Sequence, residues 1–465
     1  MTLVVRAPAA HEAERRYVLD VVLTGWLGLD YRLVPEDRSD VAIELDGDAA
    51  GLRLALPDVL LSQPREDWLG ERSMPILPLA RLEPSGGGAT DLPLLYSEPG
   101  AAGPVWRLTP TGLQTPADLF GGVFFCLTRY EEVVRGTRDR HGRFPAAALL
   151  AATEGFLDRP IADEYVDQLW RGMATLWPAL RRPASTFRLR LTHDVDEPWS
   201  ALDRRPVAIA HGLGGDLLKR RDLVLVGRRL RAVADARSRR VDRDPFNTFE
   251  LLMETSERHG LRSLFYFMAG TTPADADHRY RLSDPVFAPL LRRIHERGHE
   301  IGLHASYGSH GSGGALADQL AALRAACQAA GFEQPTWGVR QHYLRFENPV
   351  TWRDQEAVGF EHDSTVGFAD AAGFRAGTCR EYAVYDLPAG RPLRLRERPL
   401  VVMDATLFGY QRLDRDAAAM RVRAVVDACR RQRGDAVVLY HNDALAGERM
   451  RAHYRELVAD LAAGS

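Results

Sequence analysis

From about residue 187 onward, short apolar runs alternate with helix-length stretches. The runs are FRLRLTHD, SLFYFMAG, EIGLH, WGVRQHY, FEHDSTVG, LVVMDAT and AVVLYHN. Between most of them lie stretches such as FELLMETSERHG, PVFAPLLRRIHERG, LADQLAALRAACQAAG and AAAMRVRAVVDACRRQRG. Compact apolar runs separated by amphipathic helices predict parallel strands, closed into a barrel or wound as an open α/β sheet.

The first 183 residues follow another rhythm. Short apolar runs at 41–45, 52–56 and 92–96 are separated by turn-rich segments such as PSGGGATD and SEPGAAGP. The longest helical signal opens at Thr115-Pro116, a cap followed by proline, and continues through ADLFGGVFFCLTRYEEVV. A helix-compatible stretch at 162–180 ends in RRPAS, which places a boundary near Pro183. The expected architecture is a smaller α/β domain at 1–183 followed by a β/α domain at 184–465. A helical insertion at about 204–244 interrupts the second rhythm.

Composition restricts the class. The 465 residues are 45% hydrophobic and 26% charged, ordinary for a globular chain of two or three domains. Sixty basic against sixty-three acidic residues leave a formal charge of -3, so no global field recruits nucleic acid or an anionic membrane. The insertion departs from that balance with Lys219, Arg220, Arg221, Arg228, Arg229, Arg231, Arg237, Arg239 and Arg240. It reads as a solvated helical excursion or as a binding face for an acidic glycan or lipid headgroup. Cys126, Cys327, Cys379 and Cys429 are widely spaced and read as reduced, buried thiols. The N-terminal stretch meets a charge before any long apolar run develops, and no apolar run of about 18 residues follows. No signal peptide or transmembrane helix, and a cytoplasmic location, are therefore expected.

The predicted strands of the second half share one property: nearly all end in polar or ionisable residues. Asp194 and Asp196 close the first, His304 closes EIGLH, and Arg340 and His342 follow; then come Asp363, Asp404 and His441-Asn442. In a parallel β/α barrel the carboxyl ends of the strands share one rim, where such residues converge. Taken singly, Asp194 and Asp196 would serve as turn or helix caps and His304 as a core histidine. In an extended segment Asp194 and Asp196 lie on one side with Val195 on the other. Paired carboxylates suit two tasks, one binding a cation and one accepting a proton. With an imidazole nearby, zinc, manganese, iron or cobalt fits better than calcium or magnesium.

In the order of these blocks the chain resembles the polysaccharide deacetylase family, the NodB-homology deacetylases, over roughly residues 187 to 445. The resemblance implies a distorted β/α barrel that removes N-acetyl groups from sugars with one divalent metal ion, zinc or similar. It makes Asp194 in THDVD the catalytic base and Asp196 a metal ligand. GHEIGLH supplies the metal ligand His304, and GVRQHY supplies Arg340, which orients the base. LVVMDAT supplies Asp404, which holds the general acid His441 of VVLYHN. The family's second metal histidine falls at Gly308 here, so His310, His342 or a water completes the site. GLHASY, RQHYLRF and DSTVGFADAAGFRAGT resemble a subgroup with an extra N-terminal domain of unknown role. Its most distinctive stretches here are DLFGGVFFCLTRYEEVV and RDRHGRF.

The implied reaction is metal-dependent hydrolysis of a carbon–nitrogen bond other than a peptide bond, most simply N-deacetylation of an amino sugar in a polysaccharide or its precursor. Tyr343 and Trp337, with Phe346 and Trp352, are candidates for stacking on the sugar. The expected partner is thus an N-acetylated glycan, with no nucleic acid. Two other readings stand beside it. One is a metal-poor amidohydrolase acting on another linear or cyclic amide; the other is a non-catalytic glycan-binding or scaffold protein on the same fold.

Overall fold

A computed structural model describes residues 1–85, 91–202, 204–218, 220–270 and 280–464. Lys219 and most of the predicted PSGGGATD turn lie outside the described residues. The N-terminal region contains eight strands: β1 (Thr2–Pro8), β2 (Asp30–Glu36), β3 (Asp40–Leu45), β4 (Arg53–Pro57), β5 (Ala80–Leu82), β6 (Leu92–Leu94), β7 (Arg107–Thr109) and β8 (Gly112–Gln114). Six form a mixed sheet in the order β2-β1-β3-β4-β8-β7, and β5 pairs with β6. Helix Glu12–Leu19 lies in the crossover between parallel β1 and β2, as a parallel pair requires.

The helix expected to open at Thr115-Pro116 starts later, at Leu119. Asp118 is its cap, accepting from the Gly121 amide at 2.7 Å. The predicted continuous helix is also broken: Arg129 takes a left-handed φ of 53°, and helix Tyr130–Val134 starts afresh. The expected helix at 162–180 spans Ile161–Leu176.

The remaining strands are β9 (Arg188–Val195), β10 (Ser263–Phe267), β11 (Glu300–Ala305), β12 (Gly338–Gln341), β13 (His362–Asp363), β14 (Tyr382–Asp386), β15 (Arg391–Glu397), β16 (Leu400–Met403) and β17 (Asp435–Leu439). They form one sheet in the order β14-β15-β13-β12-β11-β10-β9-β17-β16. Every neighbouring pair is parallel except β14 with β15. The sheet curls as a half-barrel, with β14 and β16 as edges that do not pair. The hairpin of β14 and β15 was not foreseen, because no helix separates its strands.

Burial explains the apolar runs. All five residues of β10 and of β17 are buried, as in a sheet covered on both faces. One apolar cluster runs through both sheets, from Leu3 to Leu461. All four cysteines are buried and unpaired. Among the described residues no helix is long and apolar enough to cross a membrane.

Candidate active site

The register of the parallel strands assembles the site. Tyr266 of β10 lies opposite Asp194 of β9, and His304 of β11 lies opposite Arg340 of β12. Alternation then puts Thr192, Asp194, His304 and Arg340 on one face of the sheet. Gly302 permits close packing beneath them, since a Cβ there would approach the Tyr266 ring to 2.6 Å. Tyr266 in turn supports Arg340, whose guanidinium carbon sits 4.5 Å from the ring centroid.

Arg340 is fully buried, and its donors are distributed over the strand ends. Nη1 donates to Asp194 Oδ1 at 2.8 Å and to Thr192 Oγ1 at 3.0 Å; Nε and Nη2 donate to Ser364 O and Oγ. The guanidinium therefore fixes one oxygen of Asp194 and leaves Oδ2 facing His304 Nε2, 3.7 Å away. Such a pair has a buried charge, a partner of opposite sign and a fixed direction.

Asp196 stands next to it with three imidazoles around its carboxylate. Nε2 of His304 is 3.1 Å from Oδ1, while Nε2 of His342 and of His441 lie 3.5 and 3.8 Å from Oδ2. Burial alone would raise the Asp196 pKa, but the neighbouring His342 and His304 hold it well below the ordinary carboxylate range. His304 directs its other ring nitrogen, Nδ1, to the carbonyl of Arg340 at 3.0 Å. That nitrogen carries the proton, so in the neutral ring the Nε2 lone pair faces Asp196.

Across the rim, Asp404 receives the Nδ1–H of His441 at 2.6 Å on Oδ1 and the His441 amide at 3.0 Å on Oδ2. Burial opposes charging of His441, yet Asp404, then Asp196 and Asp194, raise its pKa well above the usual imidazole value. The Asp404 carboxylate thus fixes the His441 ring, with Nε2 on the side of Asp196.

The other predicted residues fall in several places. His342 joins Asp196 and His304, with one donor atom of each within 4.8 Å of the others, whereas His310 is not part of this group. In the loop after Gly308 the His310 carbonyl accepts from Thr351 Oγ1 at 2.8 Å. Trp337 does not reach the rim: it precedes β12 at the opposite strand end, buried with Arg324 against its ring. Phe346 and Trp352 are buried against one another in the core. Asp363 also leaves the rim. It lies opposite Val339, the neighbour of Arg340, and so on the other face, near Glu397 and the Trp352 indole.

Tyr343 is on the rim, half-buried and next to His342, with a strained left-handed φ of 63°. Sequence reasoning missed what holds it. Segment 138–144, the RDRHGRF stretch of the N-terminal region, reaches across to this rim. The Arg143 guanidinium donates to the Tyr343 carbonyl at 3.1 Å, and the His141 ring packs 4.8 Å from the Tyr343 ring. Arg143 also donates to Tyr410 Oη and is held by Asp139, while His141 Nδ1 meets Tyr307 Oη at 3.1 Å. The only signal in the sequence was the distinctiveness of the stretch, which carries no address.

Residues 3–178 match the model of a family described as "Family of unknown function (DUF7033)". No curated protein matches the chain. Among solved structures, the chain is similar to a putative polysaccharide deacetylase from Mycobacterium smegmatis at 18% identity and a TM-score of 0.39, covering 61% of this chain and 87% of that one. The Puue allantoinase is similar at 13% identity and a TM-score of 0.37, covering 60% and 90%. The polysaccharide deacetylase Bc1974 from Bacillus cereus follows at 13% identity and 0.29, covering 59% and 86%.

Proposed function

We propose that the rim is a metal-dependent amidohydrolase site that removes an acetyl group from an amino sugar of a glycan or glycan precursor. The observation that carries this reading is the juxtaposition, around one carboxylate, of a base held by arginine and an acid held by aspartate. Asp194 is bound on one side by Arg340, and His441 by Asp404, with Asp196 between them.

The donor set suits a transition metal. Asp196 Oδ1 is buried with no hydrogen-bond partner among the described residues, and with the His304 ring proton on Nδ1 the Nε2 of that ring faces it at 3.1 Å. Two acceptors facing each other call for a cation or a proton between them. One carboxylate oxygen and two imidazole nitrogens, from Asp196, His304 and His342, match the ligands of zinc and similar ions. When bound, such an ion supplies Lewis-acid polarisation of the amide carbonyl and charge stabilisation for the oxygen that becomes anionic.

The chain's own residues do the rest. Asp194 takes the proton of the attacking water through Oδ2, because Arg340 occupies Oδ1. His441 gives the Nε2 proton to the departing amine, and the hydrogen bond from Nδ1 to Asp404 keeps that nitrogen aimed at the rim. Tyr343, Tyr307 and His141 form an aromatic wall beside His342, suited to the face of a sugar ring.

The test is acetate release from a panel of N-acetylated oligosaccharides by the zinc-supplemented protein. Turnover that disappears in Asp194→Asn supports the reading. If no member of the panel is deacetylated by the wild type, or if Asp194→Asn turns over at the wild-type rate, the reading is wrong.

A further inference from the structure

The basic insertion folds into two packed helices, Pro206–Leu218 and Leu223–Ala236. It is a built element. Asp216, fully buried, is ion-paired with Arg220 and Arg229, and the Arg229 guanidinium lies over the Phe246 ring. Asp222 caps the second helix by accepting from the Leu225 amide, and Leu225 packs with Phe246 and Ala446. Both ends of the insertion are pinned beside the rim: Asn442, next to His441, donates to the carbonyls of Glu197 and Phe246, each at 2.9 Å.

What the hairpin leaves outside is unusual for a protein surface. Of the twelve large hydrophobic side chains exposed among the described residues, six lie between 207 and 230: Val207, Leu217, Leu218, Leu223, Val224 and Leu230. Val207, Leu218 and Val224 are 75% exposed or more. Four of the six flank the turn between the helices. The first helix, PVAIAHGLGGDLL, carries a single charged residue, Asp216, and that one faces inward.

Around this apolar tip the sequence places eleven Lys or Arg against three Asp between residues 204 and 240, in a chain whose formal charge is -3. Arg221, Arg231, Arg237 and Arg240 are exposed and form no ion pair among the described residues. Apolar side chains with a cationic collar match a surface that is itself apolar beneath and anionic above. A helix of 13 residues is too short to span a bilayer, which needs about 20. It is suited to lie in the headgroup layer.

We infer that the hairpin 206–236 docks the protein on an anionic lipid surface through the apolar side chains at its turn, with the arginines on the headgroups. Because the hairpin is pinned beside His441, docking would hold the rim close to that surface. The inference does not depend on which bond the rim cleaves.

The experiment is flotation of the full-length protein with vesicles of phosphatidylcholine alone or mixed with phosphatidylglycerol, at low and high salt. The wild type is expected to float with the anionic vesicles and to be released by high salt. Two variants test the two components. Leu218→Ser/Leu223→Ser/Val224→Ser removes the apolar tip. Arg221→Gln/Arg231→Gln/Arg237→Gln removes three exposed charges and should weaken binding about a hundredfold, at roughly tenfold or less per charge. Circular dichroism and thermal melts check that both remain folded; if the apolar variant does not fold, the charge variant decides. Absence of flotation with either composition, or flotation unchanged in the folded variants, overturns the inference. So does a wild-type dimer in sedimentation that the apolar variant dissolves without any flotation, since a second copy would then cover the face.

Discussion

Asp194 and Asp363 both lie at the ends of parallel strands in one sheet, and both are buried, yet they face opposite sides and keep different company. Asp194 meets a fully buried guanidinium and, beyond it, an imidazole. Asp363 meets Thr365 Oγ1 at 2.5 Å and a second carboxyl, Glu397, with the Trp352 indole donating to the latter at 3.2 Å. Among the described residues no cation forms an ion pair with either carboxyl. Burial pushes Asp363 up to about 6, and burial together with the charge of Asp363 pushes Glu397 well above the usual carboxylate range. One aspartate is therefore held by a positive partner and keeps its second oxygen toward an imidazole. The other faces a second carboxyl, and burial makes the pair resist ionisation. Chemical role follows the strand face and its partners, not the residue type.

Breaking the two aspartates separately gives the largest contrast. Asp194→Asn is expected to lower kcat about a thousandfold, as loss of a general base does. Asp363→Asn is expected to leave kcat within about threefold, since it lies on the other face of the sheet. Acetate release from the best substrate of the panel reads both; equal losses would erase the distinction.

Removing the partner rather than the acid shifts the effect to stability. Arg340→Met leaves Asp194 buried without its counter-charge, which costs about 3–5 kcal/mol in chemical denaturation. A loss below about 1 kcal/mol would mean that Asp194 does not depend on Arg340.

The Asp363–Glu397 pair makes a prediction about pH, with its sign set by the raised pKa values. Below about pH 4 these carboxyls are protonated in both folded and unfolded chains, and their contribution to stability is fully present. As pH rises through about 6 and above, the unfolded chain ionises freely while the folded pair resists, so stability is lost. A shift of about two units corresponds to roughly 2–3 kcal/mol. Thermal melts of Asp363→Asn at pH 5 and pH 8 should therefore differ less than those of the wild type. A wider gap in the variant would contradict the raised pKa of the pair.

The smallest effect belongs to the N-terminal segment. Arg143→Ala removes the donor to the Tyr343 carbonyl and is expected to cost about 1–2 kcal/mol of stability. It should raise KM more than it lowers kcat, because the wall of the rim moves while base and acid stay in place. Steady-state kinetics with the same oligosaccharide separates the two constants.

These contrasts also show which parts of the site the sequence could reveal. The ends of β9, β11 and β17 were legible because each apolar run stops at an ionisable residue and parallel strands align their ends. Asp363 was misplaced because β13 has only two residues, too few for alternation to disclose its face. The choice of His342 over His310 depends on β12 lying beside β11, a pairing that no spacing encodes. Trp337 was misread for a simpler reason: it stands before its strand, at the end opposite the rim. The contacts of His141 and Arg143 join positions roughly 200 residues apart and have no local signature at all.

The central claim is that Asp196, His304 and His342 form one cation site between the base and the acid. Zinc titration by calorimetry measures it directly, using the wild type and the variants His342→Ala and His310→Ala. One zinc ion per chain, with affinity reduced at least about tenfold by His342→Ala and unchanged by His310→Ala, is the predicted result. A wild type that binds no zinc, or a site that survives His342→Ala and is lost in His310→Ala, would contradict it.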